Sequence, residues 1–174
     1  MEQWYGYKRI MIIDLDAHQG DGHATDHMDR IKYCVFDAYN HMIYPGNEPA
    51  KKGITYDIDA SRCPDDMNYL DELDEKLPRA FDEFKPDFVI YNAGTDCMEG
   101  DPLGRLDLSS DAIIKRDEIV FRLCYEEHKV PIVMLLSGGY QKTNAPCIAL
   151  SIKNLVQQFN LSISGSEFLR EHSD

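Results

Sequence analysis

Asp14, Asp16 and His18 occupy alternate positions of one short segment, Ile12-Ile13-Asp14-Leu15-Asp16-Ala17-His18, and Gly20 and Gly22 follow at once. Residues at i, i+2 and i+4 of an extended chain point the same way, so two carboxylates and an imidazole can converge beyond a strand end. Such a group repels itself or stays half-charged unless a cation joins it, and a metal ion is the simplest solution. A lone D-x-D is weak evidence, because strands of α/β proteins commonly end in Asp where they meet loops. D-x-D-x-H with G-x-G directly behind it is much less common, and the glycines let the backbone turn close to the site.

Two further segments carry chemistry in the same way. Asn92-Ala93-Gly94-Thr95-Asp96 follows the apolar run Phe88–Tyr91, and Ser137-Gly138-Gly139-Tyr140 follows Ile132–Leu136. Asp16, His18 and Asp96 make a set of mixed nitrogen and oxygen donors. Three protein ligands with an open position suit a catalytic divalent ion, whereas structural zinc sites are closed by four Cys-rich ligands. An ion there can polarise a carbonyl, and the tetrahedral species that follows needs a hydrogen-bond donor. Tyr140, carried on the Gly138-Gly139 turn, can be that donor; a half-buried packing tyrosine is the other reading. Asp96 can equally cap a turn.

The elements that must position these residues alternate short apolar runs with helical stretches. Arg9–Leu15, Tyr33–Phe36, Ile54–Ile58, Phe88–Tyr91 and Ile132–Leu136 are predicted strands. Helices are predicted over His23–Arg30, Asp65–Phe84 (with a bend at Pro78), Ser109–Glu127 and Ala145–Phe159, and a long loop over Asp37–Lys52. Continuously apolar strands separated by helices imply an α/β fold, a parallel sheet flanked by helices in one domain over 1–174. Ligands of such sheets bind beyond the carboxyl ends of the strands, where all three chemical segments fall.

Composition narrows the class. The net charge of −13 argues against direct nucleic-acid binding, which needs a basic face, and suits a basic partner such as a lysine-rich peptide. Five cysteines, Cys34, Cys63, Cys97, Cys124 and Cys147, form no C-x-x-C pair, which favours a reducing compartment over a disulfide framework. The start Met1–Gly6 has no signal-peptide pattern, and no apolar run is long enough to span a bilayer.

Taken together, Ile13-Asp14-Leu15-Asp16-Ala17-His18-Gln19-Gly20-Asp21-Gly22-His23, Tyr91–Asp96, Leu103-Gly104-Arg105-Leu106 and Ser137–Lys142 resemble the zinc-dependent histone deacetylases of the arginase–deacetylase superfamily, and their class IV branch most. The resemblance runs from about Arg9 to Leu161. It implies Asp16, His18 and Asp96 as zinc ligands and Tyr140 as donor to the scissile carbonyl. It implies that Asp14 and Asp21 orient catalytic histidines. It also implies a structural K+ held by Asp14 and the carbonyls of Asp16 and His18, together with Asp37 and Ala38. The implied reaction is hydrolysis of an N-acyl-lysine amide in a nuclear or cytoplasmic chromatin regulator, with long fatty-acyl groups favoured at least as much as acetyl.

One departure matters. The family carries two adjacent histidines upstream of D-x-D-x-H as its general acid–base pair. The histidines here are His18, His23, His27, His41, His128 and His172, none adjacent. The chain is therefore expected to be a C-terminal portion of the deacetylase domain, inactive by itself. Its sheet is expected to have an uncovered edge near the first strand, which Trp4, Tyr5 and Tyr7 patch in part and a partner chain covers. The alternatives are a non-catalytic acyl-lysine or partner-binding remnant, or a superfamily hydrolase of the ureohydrolase or polyamine deacetylase type. The Gly-Gly-Tyr turn favours the deacetylase branch.

Overall fold

The structure, a computed structural model, describes residues 6–161; Trp4, Tyr5 and His172 lie outside the described residues. Five strands, β1 (Ile10–Asp14), β2 (Tyr33–Tyr39), β3 (Tyr56–Asp59), β4 (Phe88–Ala93) and β5 (Ile132–Leu136), form one sheet in the order β3-β2-β1-β4-β5. Every pairing is parallel. The helices are α1 (Asp21–His27), α2 (Asp66–Phe84), α3 (Ser110–Arg122) and α4 (Asn144–Gln158). No helix among the described residues is long and apolar enough to cross a membrane.

The helix ends follow from local chemistry. Asp65 caps α2 by accepting from the Asn68 N–H, and Ser109 caps α3 by accepting from the Ala112 N–H. Helix α2 buries Tyr69, Leu73, Leu77, Ala80 and Phe81 and runs on through Pro78, so the expected bend leaves the helix unbroken. It stops at Lys85, whose φ of 54° ends it in a left-handed turn. Among the boundaries that differ from the sequence reading, two bear on the site. Helix α1 starts at Asp21, and β2 extends to Tyr39, so Asp37 is a strand residue in register with Asp14.

The chain runs outward from β1 to β2 and β3, then returns to the other side of β1 for β4 and β5. Strand order thus reverses between β1 and β4, the position at which doubly wound sheets bind ligands. Strand β1 is buried along its whole length. The uncovered apolar edge is β5 and not the surroundings of β1: Leu135 and Leu136 are 46% and 60% exposed. Tyr7 packs against Phe88 at the opposite end of the sheet, with ring centroids 4.7 Å apart.

Candidate metal centre

At the reversal point the loops after β1 and β4 bring Asp16, His18 and Asp96 together, with one ligand-type atom of each within 4.8 Å of the others. His18 Nδ1 sits 2.7 Å from Asp96 Oδ2 and 3.1 Å from Asp16 Oδ1. Among the described residues this is the one such group of three or more. Backbone donors set the carboxylates. The Ala17 N–H gives to Asp96 Oδ1 at 2.8 Å, and the His18 N–H to Asp16 Oδ1 at 2.9 Å. From the end of β5, the Ser137 hydroxyl and the Gly138 N–H both donate to Asp16 Oδ2, at 3.0 and 2.9 Å. A side chain at Gly138 would collide with both acids: its Cβ would lie 2.4 Å from Asp96 Oδ2 and 2.5 Å from Asp16 Oδ2.

The electrostatics are those of a site short of positive charge. Burial, with the Asp16 charge beside it, pushes Asp96 up to about 6. Burial opposes the ionisation of Asp16 too. The bonds that Asp16 accepts from the Asp96 carboxyl and from the His18 and Gly138 N–H groups nevertheless hold it below its ordinary value. Two acids pushed in opposite directions thus crowd one imidazole, an arrangement that a divalent ion relieves. The donor set, mixed nitrogen and oxygen with no thiolate, fits a catalytic rather than a structural zinc.

Tyr140 stands over this cluster, its ring edge-on to His18 with centroids 6.1 Å apart, and is 53% exposed. Burial, reinforced by Asp16, Asp96 and Asp101, raises its phenol, so the hydroxyl stays protonated and able to donate. Between Tyr44, Leu103, Pro102, Met42, Ile43 and Arg105 a cleft of about 340 Å³ opens onto His18.

Asp14 lies beneath the cluster. Its Oδ1 accepts from the Asp16 N–H at 3.0 Å and from Asn92 Nδ2 at 2.8 Å, while Oδ2 faces His23 Nε2 at 3.4 Å. Burial pushes Asp14 up to about 7, and Asp37, its register partner, is raised well above the carboxylate range by burial and by Asp14. Asp37 Oδ2 accepts from the Gly20 N–H, but Oδ1 has no partner. Two buried acids side by side with an orphaned oxygen fit a second, weaker cation. Asp21 stands apart from the cluster, in the first turn of α1, where it accepts from Asn47 Nδ2 at 2.9 Å.

The sequence reading missed Arg116. This guanidinium is fully buried and donates through one nitrogen to the carbonyls of Leu15 (3.0 Å) and Gly94 (2.7 Å), stapling together the two loops that carry the acids. Asp117 balances its charge at 2.8 Å and in turn accepts from the Tyr91 and Ser151 hydroxyls. A signal was present: Arg116 and Asp117 fall at i+3 and i+4 from Ile113, on the apolar stripe of α3, where an unpaired charge is not tolerated.

Comparisons with known proteins fit this geometry. Residues 1–156 match the histone deacetylase domain. Histone deacetylase 2 of Arabidopsis thaliana is 49% identical over 150 residues, covering 86% of this chain and 38% of the relative. A probable deacetylase of Archaeoglobus fulgidus is 27% identical over 165 residues, 90% of this chain and 46% of the relative. Among solved structures, the HD domain of HDA15 superposes with a TM-score of 0.73 at 25% identity, over 94% of this chain and 48% of that one. The chain therefore spans less than half the length of each of these relatives.

Proposed function

The chain belongs to the histone deacetylase family, and from that premise we propose that it is the metal-binding portion of a class IV-type, zinc-dependent lysine deacylase. The observation that carries this reading is the convergence of Asp16, His18 and Asp96 at the strand-order reversal, with Tyr140 beside them. Asp16, Asp96 and His18 Nδ1 would hold the zinc. When bound, zinc supplies Lewis-acid polarisation of the acyl carbonyl. The protonated Tyr140 hydroxyl donates to that carbonyl oxygen as negative charge grows on it. Ser137 and Gly138 hold the Asp16 carboxylate in place through its Oδ2. Leu103, Ile43 and Tyr44 line the cleft beside His18 where the apolar part of an acyl-lysine fits. The negative balance of the chain suits a lysine-rich peptide. Asp14 and Asp37 would hold K+, the orphaned Asp37 oxygen supporting that assignment. Another chain covering the open side of β5 completes the reading.

Proton transfer is the missing part. Asp14 and Asp21 are the residues that would orient a histidine pair, but no two histidines of these 174 residues are adjacent. General acid–base help contributes about 10²–10⁴-fold, so these residues alone turn over negligibly. The test is a fluorogenic fatty-acyl-lysine assay on the zinc-supplemented chain, beside Asp16→Ala. Activity at the background of Asp16→Ala is expected. Turnover typical of complete enzymes and abolished by Asp16→Ala would show that a residue here replaces the pair.

A further inference from the structure

Asp101 is buried, 5% exposed, and both its oxygens are in use. Oδ1 accepts from the N–H groups of Leu103 and Gly104, at 2.9 and 3.0 Å, and closes its own turn. Oδ2 accepts from the Tyr140 N–H at 2.8 Å, 39 residues away. A carboxylate that only capped its own turn would leave its second oxygen to solvent. Here that oxygen fixes the backbone of the residue that carries the hydroxyl donor. The contact is part of a seam: beside it Gln141 Nε2 donates to the Glu99 carbonyl at 2.9 Å, 42 residues away. The seam matters because Tyr140 leaves the end of β5, an open edge: Ser137 and Gly138 are tied to Asp16 and Thr95, and the Asp101 carboxylate carries that hold on to the backbone of Tyr140 itself. Beyond the turn, Leu103 stands 50% exposed in the wall of the cleft.

We infer that Asp101 is a positioning residue that sets the Tyr140 hydroxyl and the Leu103 wall against each other through one buried carboxylate. This rests on the reading of Tyr140 as the carbonyl donor. Asp101 touches no reacting atom, so its effect on a ligand's zinc-binding group must pass through the Tyr140 hydroxyl. Asn at this position keeps one acceptor oxygen and turns the other into a donor, so one side of the bridge fails.

Two measurements on the full chain separate the possibilities. In the unmutated, metal-free protein, the Tyr140 amide should exchange slowly with solvent by nuclear magnetic resonance although it lies in a turn. In Asp101→Asn that protection should fall, with β1 and β4 unchanged. A rapidly exchanging Tyr140 amide in the unmutated chain overturns the inference, and needs no variant to fold. The second measurement is calorimetric binding of octanohydroxamic acid to the zinc-loaded chain, with Asp101→Asn, Tyr140→Phe and the double variant. Asp101→Asn should weaken binding about ten-fold, the scale of one lost hydrogen bond to a charged group. In the Tyr140→Phe background the same substitution should do almost nothing. Equal weakening in both backgrounds would show that Asp101 does not act through Tyr140, and overturns the inference. If the unmutated zinc-loaded chain fails to bind the hydroxamate, the deacylase reading falls, and amide exchange alone decides whether Asp101 ties the two turns.

Discussion

Strands β1 and β5 are both short, apolar and parallel, and both lead into loops that carry residues of the candidate centre, yet the sheet treats them oppositely. β1 has a neighbour on each side and no exposed residue, and its last carboxylate is locked by Asn92 and by the Asp16 N–H. β5 is an edge strand whose last two leucines are exposed. The acids therefore take contacts from the loop after β1 and two more, from Ser137 and Gly138, from the end of β5, while the tyrosine is carried on that open margin and held across a seam. The difference teaches that binding a cation and handling a carbonyl lean unequally on the edge: the first borrows two donors from it, the second its whole position.

The sharpest way to break the β1 side is Arg116→Met. It strips the staple from Leu15 and Gly94 and leaves Asp117 a buried charge without its partner, which should cost about 3–5 kcal/mol in denaturant unfolding. A loss below about 1 kcal/mol would mean that the loops hold themselves. Next in size, Ile13→Ala empties a fully buried position and should cost about 2–5 kcal/mol. Leu136→Lys on β5 should change stability by only about 0.5 kcal/mol. It should also reduce self-association in light scattering, because it charges an apolar edge. Equal losses at the two sites would erase the contrast.

The smallest effect is one of pH. Asp14 and Asp37 take up protons more readily in the folded chain than in the unfolded one, Asp14 moving from 3.8 to about 7. Between those values the folded state holds protons that the unfolded state has lost, so stability falls as pH rises through the window. Thermal melts in chelator should give a higher Tm at pH 5 than at pH 7.5, and Leu136→Lys should leave that difference intact. A higher Tm at pH 7.5 would contradict the arrangement.

The β1 side was largely legible in the sequence, and the edge was not. Alternation of Asp14, Asp16 and His18 has meaning only on a strand, and apolar runs mark strands, so the spacing and the element supported each other. Asp37 reads as loop because polar Asp interrupts an apolar pattern, although parallel pairing carries β2 three residues past Phe36, to Tyr39. Pro78 suggested a bend, but the apolar face of α2 is continuous on both sides of it, and packing overrides the local break. The location of the open edge depends on strand order, which no local pattern encodes. The role of Asp101 is no more local, since its decisive partner is Tyr140, far along the chain.

The central claim, that Asp16, His18 and Asp96 form a zinc site, is tested most directly by calorimetric zinc titration of the metal-free chain beside Asp96→Ala. The account predicts one tight equivalent per chain, lost in the variant. At one hundred times the dissociation constant it also predicts about 2.7 kcal/mol of added stability. No binding by the unmutated chain, or binding that Asp96→Ala leaves unchanged, would contradict it.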